Sequence, residues 1–200
     1  MLSMPVMQNM LLNTVKITMT DVMIDIETAG DCDNAIVLTL GAAKFDPNSL
    51  SGPGDSLYMR IDIEEQEQLG RVRTDSTMAW WDTQPIDVRE EAWSPYDRHS
   101  VNDALSQLQS FVKGSSAIWS QGPLFDIIIL QHLYQQIGLR KPWRYNAIRD
   151  SRTLFKTVGD FRDRSTQGLH NALVDAHHQI LGVQRCMQII NRNKAEDTST

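Results

Sequence analysis

The sequence predicts an α/β domain built on a mixed sheet, with an antiparallel meander first, parallel strands later, and helices flanking it. Three observations carry this expectation. Short apolar runs follow one another early in the chain with connections too short for a crossover helix, which implies antiparallel pairing. One further short apolar run stands alone between helical patterns. The last clear pattern is amphipathic, with Leu173, Ala176, Ile180, Val183, Met187 and Ile190 spaced alternately three and four apart.

The elements follow in order. Residues 22–27 read as a strand, 29–34 as a turn, and 36–45 as a second, largely buried strand. Pro47, Gly52, Pro53 and Gly54 mark a loop over 46–55, and 56–63 supplies a third strand. Helices are expected over 76–83 and over 101–112, where Val101, Leu105, Leu108 and Val112 share a face. A short strand at 117–121 precedes Gly122-Pro123, which opens a helix over 124–137 stopped by Gly138. The final helix starts near Asn171. The domain is placed at 20–192, after a Met-rich extension at 1–19 that is either a flexible arm or a mis-assigned start, and before a polar tail at 193–200.

Composition narrows the function classes. No run of eighteen apolar residues exists, so no membrane span is expected. The N-terminus lacks the basic region of a signal peptide. Cys32 and Cys186 are too few for a disulfide framework and have no metal-ligand spacing, which fits a reducing cytoplasm. A net charge of −6 argues against a general nucleic-acid coat. Residues 140–164 nevertheless hold eight basic side chains against three acids. That segment is either a phosphate-contacting rim or a solvated surface.

The acids are the informative residues. On a strand, Asp25 and Glu27 point one way while Val22, Ile24 and Ile26 point the other. Two adjacent carboxylates on an apolar strand repel each other and resist desolvation unless a cation lies between them. The pair is either a wet strand edge or part of a site for a hard divalent ion. Asp126 falls on the same helical stripe as Leu130, Leu133 and Ile137, within the first turn, where the helix dipole also favours an acid. His170 and Asp175 would diverge on one continuous helix. They converge if His170 lies on the loop before it, which Gly168 makes plausible.

Taken together, Asp25-Ile26-Glu27-Thr28, Asp126, and His170 with Asp175 five residues on resemble the DEDDh branch of the DEDD exonuclease superfamily over roughly residues 20–190. The resemblance implies a ribonuclease-H-like fold and removal of nucleotides from 3′ ends. Thr77-Met78-Ala79-Trp80-Trp81-Asp82-Thr83-Gln84 is similar to a narrower group that takes in T-even-phage DNA exonuclease and bacterial exoribonucleases. Ala29 departs from the pattern, since many relatives carry a second threonine there.

The resemblance further implies two Mg²⁺ ions, with Mn²⁺ as a substitute, held by Asp25, Glu27, Asp126 and Asp175. His170 would take the proton from the attacking water, a role suited to an imidazole whose ordinary pKa is about 6.5. Thr28 and Trp81 are the expected substrate contacts, although core packing competes for either tryptophan of the pair. The expected substrate is the 3′ end of single-stranded nucleic acid, DNA in preference to RNA. The alternatives are an exoribonuclease and, in a different class, a catalytically silent binding module. The resemblance also allows a homodimer in which the basic segment of one subunit helps hold the other's substrate. The expected location is a cytoplasm, the host's if the chain is phage-encoded.

Overall fold

The computed structural model describes residues 21–162 and 170–197. The extension expected at 1–19, the charged pair Asp163 and Arg164, and the loop expected at Gly168 lie outside the described residues.

The chain opens with the expected meander. β1 (Asp21–Thr28) pairs antiparallel with β2 (Val37–Phe45), and β2 pairs antiparallel with β3 (Ser56–Ile61). Three short helices follow, α1 (Ile63–Gln68), α2 (Asp75–Asp82) and α3 (Ile86–Trp93). β4 (Arg98–His99) leads into α4 (Val101–Phe111), β5 (Ala117–Ser120) and α5 (Asp126–Gln136). A 3₁₀ turn at Tyr145–Ala147 enters β6 (Ile148–Asp150), then α6 (Ser151–Val158) and α7 (Ala172–Asp197). The spatial order is β4-β3-β2-β1-β5-β6. β5 runs parallel to β1, β6 parallel to β5, and β4 parallel to β3.

Several elements go beyond the sequence expectation. The only buried side chain of α1 is Gln66, and that of α3 is Ala92, so neither shows an apolar stripe. β3 stops at Ile61 instead of running on to 63, because Asp62 caps α1 by accepting the Glu65 N–H at 2.8 Å. β4 has two residues and is tied down by the Arg98 guanidinium, which donates to the carbonyls of Leu38, Ile61 and Ala92. β6 and α6 lie in the segment read only for its charge. α7 continues through Asp197, past the start of the expected tail, with its last residues exposed. Lys194, Ala195 and Glu196 are good helix formers even with nothing to bury.

β1 divides the two layers. Val22, Ile24 and Ile26 join Leu105 and Leu108 of α4 and Ile127 and Leu130 of α5 in one buried cluster. Met23 points the other way and packs with Phe45, Trp119, Phe155 and the α7 residues Ala176, Ile180 and Val183. Gly41 faces Asp25 across the β1–β2 ladder. A Cβ at Gly41 would come within 2.3 Å of the Ala172 and Leu173 backbone, so only glycine lets the start of α7 lie directly on the sheet. Among the described residues, no helix is long and apolar enough to cross a membrane.

Candidate active site

Asp25 and Glu27 fall on the α7 side of β1, as their two-residue spacing requires. The ladder shifts register between Glu27 and Thr28, a bulge that ends regular pairing beside the acids. Asp126 is the first residue of α5 and is buried. The tight turn at 122–126, in which the Gly122 carbonyl accepts from Phe125 N at 2.7 Å, brings it to the ends of β1 and β5. Asp126 accepts hydrogen bonds from the Ser120 hydroxyl and the Ile26 amide.

His170 does precede the last helix, in the left-handed conformation with φ 65°. An L-residue rarely adopts this region, and here it turns the His170 amide onto Asp175 Oδ2 at 2.9 Å. Asn171 then caps the helix, its Oδ1 accepting from Leu173 N at 3.1 Å and Val174 N at 3.2 Å. Ligand atoms of Glu27, His170 and Asp175 consequently lie within 4.8 Å of one another. These three, with Asp25 and Asp126, line one cavity of about 460 Å³. Asp25, Glu27, Asp126, His170 and Asp175, the four acids and the histidine expected from the sequence, are brought together.

The electrostatics of this cavity are one-sided. Burial pushes Asp25 well above the ordinary carboxylate range, and the charges of Asp126, Glu27 and Asp175 add to it. Burial first, then Asp175, Asp126 and Glu91, pushes Glu27 up to about 8. Asp126 rises to about 7 through burial, against the opposing pull of its hydrogen bonds. Burial raises Asp175 too, offset by the His170 amide. Four clustered carboxylates that resist ionisation are the donor set a divalent cation relieves, and oxygen donors suit Mg²⁺ or Mn²⁺. The residues present fit such ions.

Thr28 and Trp81 do not face the cavity. Trp81 is 1% exposed, its indole N–H donates to the Thr28 carbonyl at 2.8 Å, and its ring packs edge-on to Trp93. The buried Thr28 hydroxyl donates to the Gly30 carbonyl at 2.6 Å. Both side chains hold the end of β1 onto α2 and the following turn, so neither of these expected substrate contacts is part of the cavity lining. Trp80, 38% exposed, is the tryptophan on the outside, with its ring edge-on to His170 at 4.8 Å between centroids.

Other residues of the cavity carried weaker signals. Gln179 is buried and donates from Nε2 to Asp25 Oδ1 at 2.7 Å. Its place four residues after Asp175, on the same helix face, was the clue available in the sequence. Arg152 and Arg162, from the basic segment, line the same cavity. Arg152 donates from Nε to the Gln121 carbonyl at 2.9 Å, and Arg162 is paired with Asp160 at 2.6 Å. Asp150 is structural, capping α6 through Arg152 N and the Thr153 hydroxyl.

Comparison with known proteins agrees with this geometry. Residues 20–187 match the model of the Rv2179c-like family, described as a 3′-5′ exoribonuclease domain. The chain is 28% identical over 189 residues to an exodeoxyribonuclease of Enterobacteria phage T4, covering 81% of this chain and 83% of the phage protein. Among solved structures, the fold is similar to the nuclease domain of 3′hExo, a DEDDh family member bound to rAMP. The TM-score is 0.53 at 14% identity, covering 84% of this chain and 91% of that one. It is also similar to cell-death related nuclease 4, with a TM-score of 0.54 at 14% identity, covering 84% of this chain and 64% of that one. The sheet that gathers the acids and the match over most of the chain agree: the protein belongs to the Rv2179c-like 3′-5′ exoribonuclease domain family and is a 3′-5′ exonuclease, a hydrolase of phosphodiester bonds.

Proposed function

We propose that the protein removes nucleotides one at a time from the 3′ end of single-stranded DNA, using two divalent ions held by Asp25, Glu27, Asp126 and Asp175, with His170 as the general base. The observation that carries this reading is the convergence of four carboxylates, Glu27 and Asp126 buried and Asp25 and Asp175 half-buried, and one histidine on a single cavity. Ions bound there would supply Lewis-acid stabilisation of the charge that builds on the phosphate and on the departing 3′ oxygen. The protein's own groups do the rest. The carboxylates bind and orient. A ring nitrogen of His170 takes the proton of the attacking water. Arg152 and Arg162 place positive charge at the wall of an otherwise acidic cavity, where a phosphate backbone would enter.

DNA is favoured because the phage relative is an exodeoxyribonuclease. The second reading, an exoribonuclease trimming RNA 3′ ends, is favoured by the description of the family. The two differ in whether the pocket tolerates a 2′ hydroxyl. The test incubates 5′-labelled DNA and RNA oligonucleotides of one sequence with Mg²⁺ and wild type, Asp25→Ala or His170→Ala. Wild type should shorten the DNA faster than the RNA, and both variants should leave the strands intact. Faster laddering of RNA would transfer the assignment to the second reading. Laddering that persists in Asp25→Ala would sink the metal-site assignment. Intact strands with wild type would leave only a binding module.

A further inference from the structure

Among the described residues three glutamines are buried, and they differ in how their amides are satisfied. Gln66 is bonded at both ends, accepting from Val37 N at 2.8 Å and donating to the carbonyls of Val37 and Asp62. Gln184, on α7, is also bonded at both ends, accepting from Gly52 N at 3.2 Å and donating to the Asp46 carbonyl at 2.9 Å. These two fasten one stretch of backbone to another. Gln179 lies five residues before Gln184 on the same helix, yet its amide donates to a carboxylate and its Oε1 has no partner among the described residues.

That asymmetry has a physical cause. With Asp25 ionised, as binding a cation requires, rotating the Gln179 amide by half a turn would press its carbonyl oxygen against a carboxylate oxygen, two acceptors with no proton between them. The orientation is therefore dictated by Asp25, and the orphaned Oε1 is its consequence. An apolar side chain of the same length would fill this space without burying an unpaired oxygen. As a packing element Gln179 is a poor choice. As a donor aimed at one carboxylate oxygen it is well placed, because α7 carries it one turn beyond Asp175 and rests directly on Gly41, opposite Asp25.

We propose that Gln179 is a positioning residue: it holds the Asp25 carboxylate in one orientation so that the cation site is formed before the ions arrive. This inference rests on the metal-site reading given under Proposed function. Partners that orient metal ligands in this way typically contribute about 10–100-fold to metal affinity.

The test compares wild type, Gln179→Met, Gln179→Asn and, as a control on the same helix, Gln184→Met. Each is melted in EDTA, titrated calorimetrically with Mn²⁺ alone, and assayed for kcat and KM on an oligonucleotide. Gln179→Met should melt in EDTA at or above the wild-type temperature and bind Mn²⁺ roughly tenfold more weakly. Its kcat should fall while KM stays within about twofold. Gln179→Asn, with an arm too short to reach, should weaken Mn²⁺ binding in the same direction, and it decides the matter if the methionine variant does not fold. Gln184→Met should melt lower and bind Mn²⁺ as wild type does. Mn²⁺ affinity within about twofold of wild type in both Gln179 variants would overturn the positioning role and leave the metal site standing. Absence of Mn²⁺ binding by wild type would overturn the metal reading itself.

Discussion

On one face of β1, Val22, Ile24 and Ile26 are buried among the side chains of α4 and α5, every one of them apolar. On the other face, Asp25 and Glu27 lie beneath α7 in a layer that also receives Asp126 and Asp175. The two faces belong to the same eight residues. The first face gains stability from being dry. The second is held in a state that opposes stability, with burial and mutual repulsion raising each acid. The strand is thus rigid because of one face and chemically poised because of the other, and neither role could be moved to the opposite side without a one-residue slip of register.

Substitutions on adjacent residues separate the two roles most sharply. Asp25→Asn keeps the shape and removes a charge from the cluster. It should lower the turnover number by ~10³-fold or more through loss of metal-centred charge stabilisation. Its metal-free melting temperature should hold or rise, since less repulsion remains. Ile24→Ala should do the reverse, costing ~2–5 kcal/mol of stability through the cavity left behind, with activity retained in the molecules that stay folded. Thermal melts in EDTA and turnover on a labelled oligonucleotide measure both. A destabilised Asp25→Asn would mean that the acid is a structural partner.

The acid face also sets the pH dependence. Glu27, ordinarily near 4.5, is pushed to about 8, and Asp126, ordinarily near 3.8, to about 7. Between the ordinary and the raised values the folded protein holds more protons than the unfolded chain, so its stability falls as pH rises. Metal-free protein is therefore expected to lose on the order of a few kcal/mol between roughly pH 5 and pH 8.5. Divalent ions replace those protons, so with saturating Mg²⁺ the slope should flatten or reverse. Denaturant titrations at three pH values, with EDTA and with Mg²⁺, give the comparison. A metal-free stability that climbs across this window would contradict the burial of the acids.

Gly41 joins the two faces, because it lets α7 rest on the sheet opposite Asp25. Gly41→Ala places a methyl group where the Ala172 and Leu173 backbone now lies. Overpacking of this kind costs ~1–3 kcal/mol. Asp175 and Gln179 ride on α7, so turnover should fall further than the loss of folded protein explains. Turnover measured at a temperature where the variant is fully folded isolates that displacement.

The legible parts of this fold are those with a local period. Asp25 and Glu27 announce themselves because a strand alternates, and Asp126 because a charge interrupts an apolar helical stripe in its first turn. His170 and Asp175 required the resemblance, since convergence depends on a left-handed residue at 170 that spacing alone does not specify. Gln179 is hard to read from the sequence because its partner lies 154 residues away. α1 and α3 escaped because they bury almost nothing apolar. Thr28 is expected at the substrate from its place after Asp25-Ile26-Glu27, and Trp81 as an aromatic able to stack on a base. Their role is not periodic: the hydrogen bonds they make brace the end of β1 against α2 and the following turn.

The tryptophan pair repeats, on one helix, the division seen on β1. Successive residues of a helix point about 100° apart, so α2 sends one indole inward and the next outward, and only its docking decides which. Trp81 went in and is bonded to the Thr28 carbonyl, and Trp80 stayed at the edge of His170. Trp81→Ala should therefore cost ~3–5 kcal/mol of stability. Trp80→Ala should leave the melting temperature within a few degrees and weaken oligonucleotide binding by ~1–3 kcal/mol, the contribution of one stacked base. Trp80→Phe, which keeps an aromatic face, should recover most of that loss. Binding measured with Ca²⁺ in place of Mg²⁺, so that the strand is held and not cut, gives the affinity directly. If Trp80→Ala instead left affinity untouched and lowered kcat alone, its indole would be a prop for His170 and the outward face of α2 would carry no substrate.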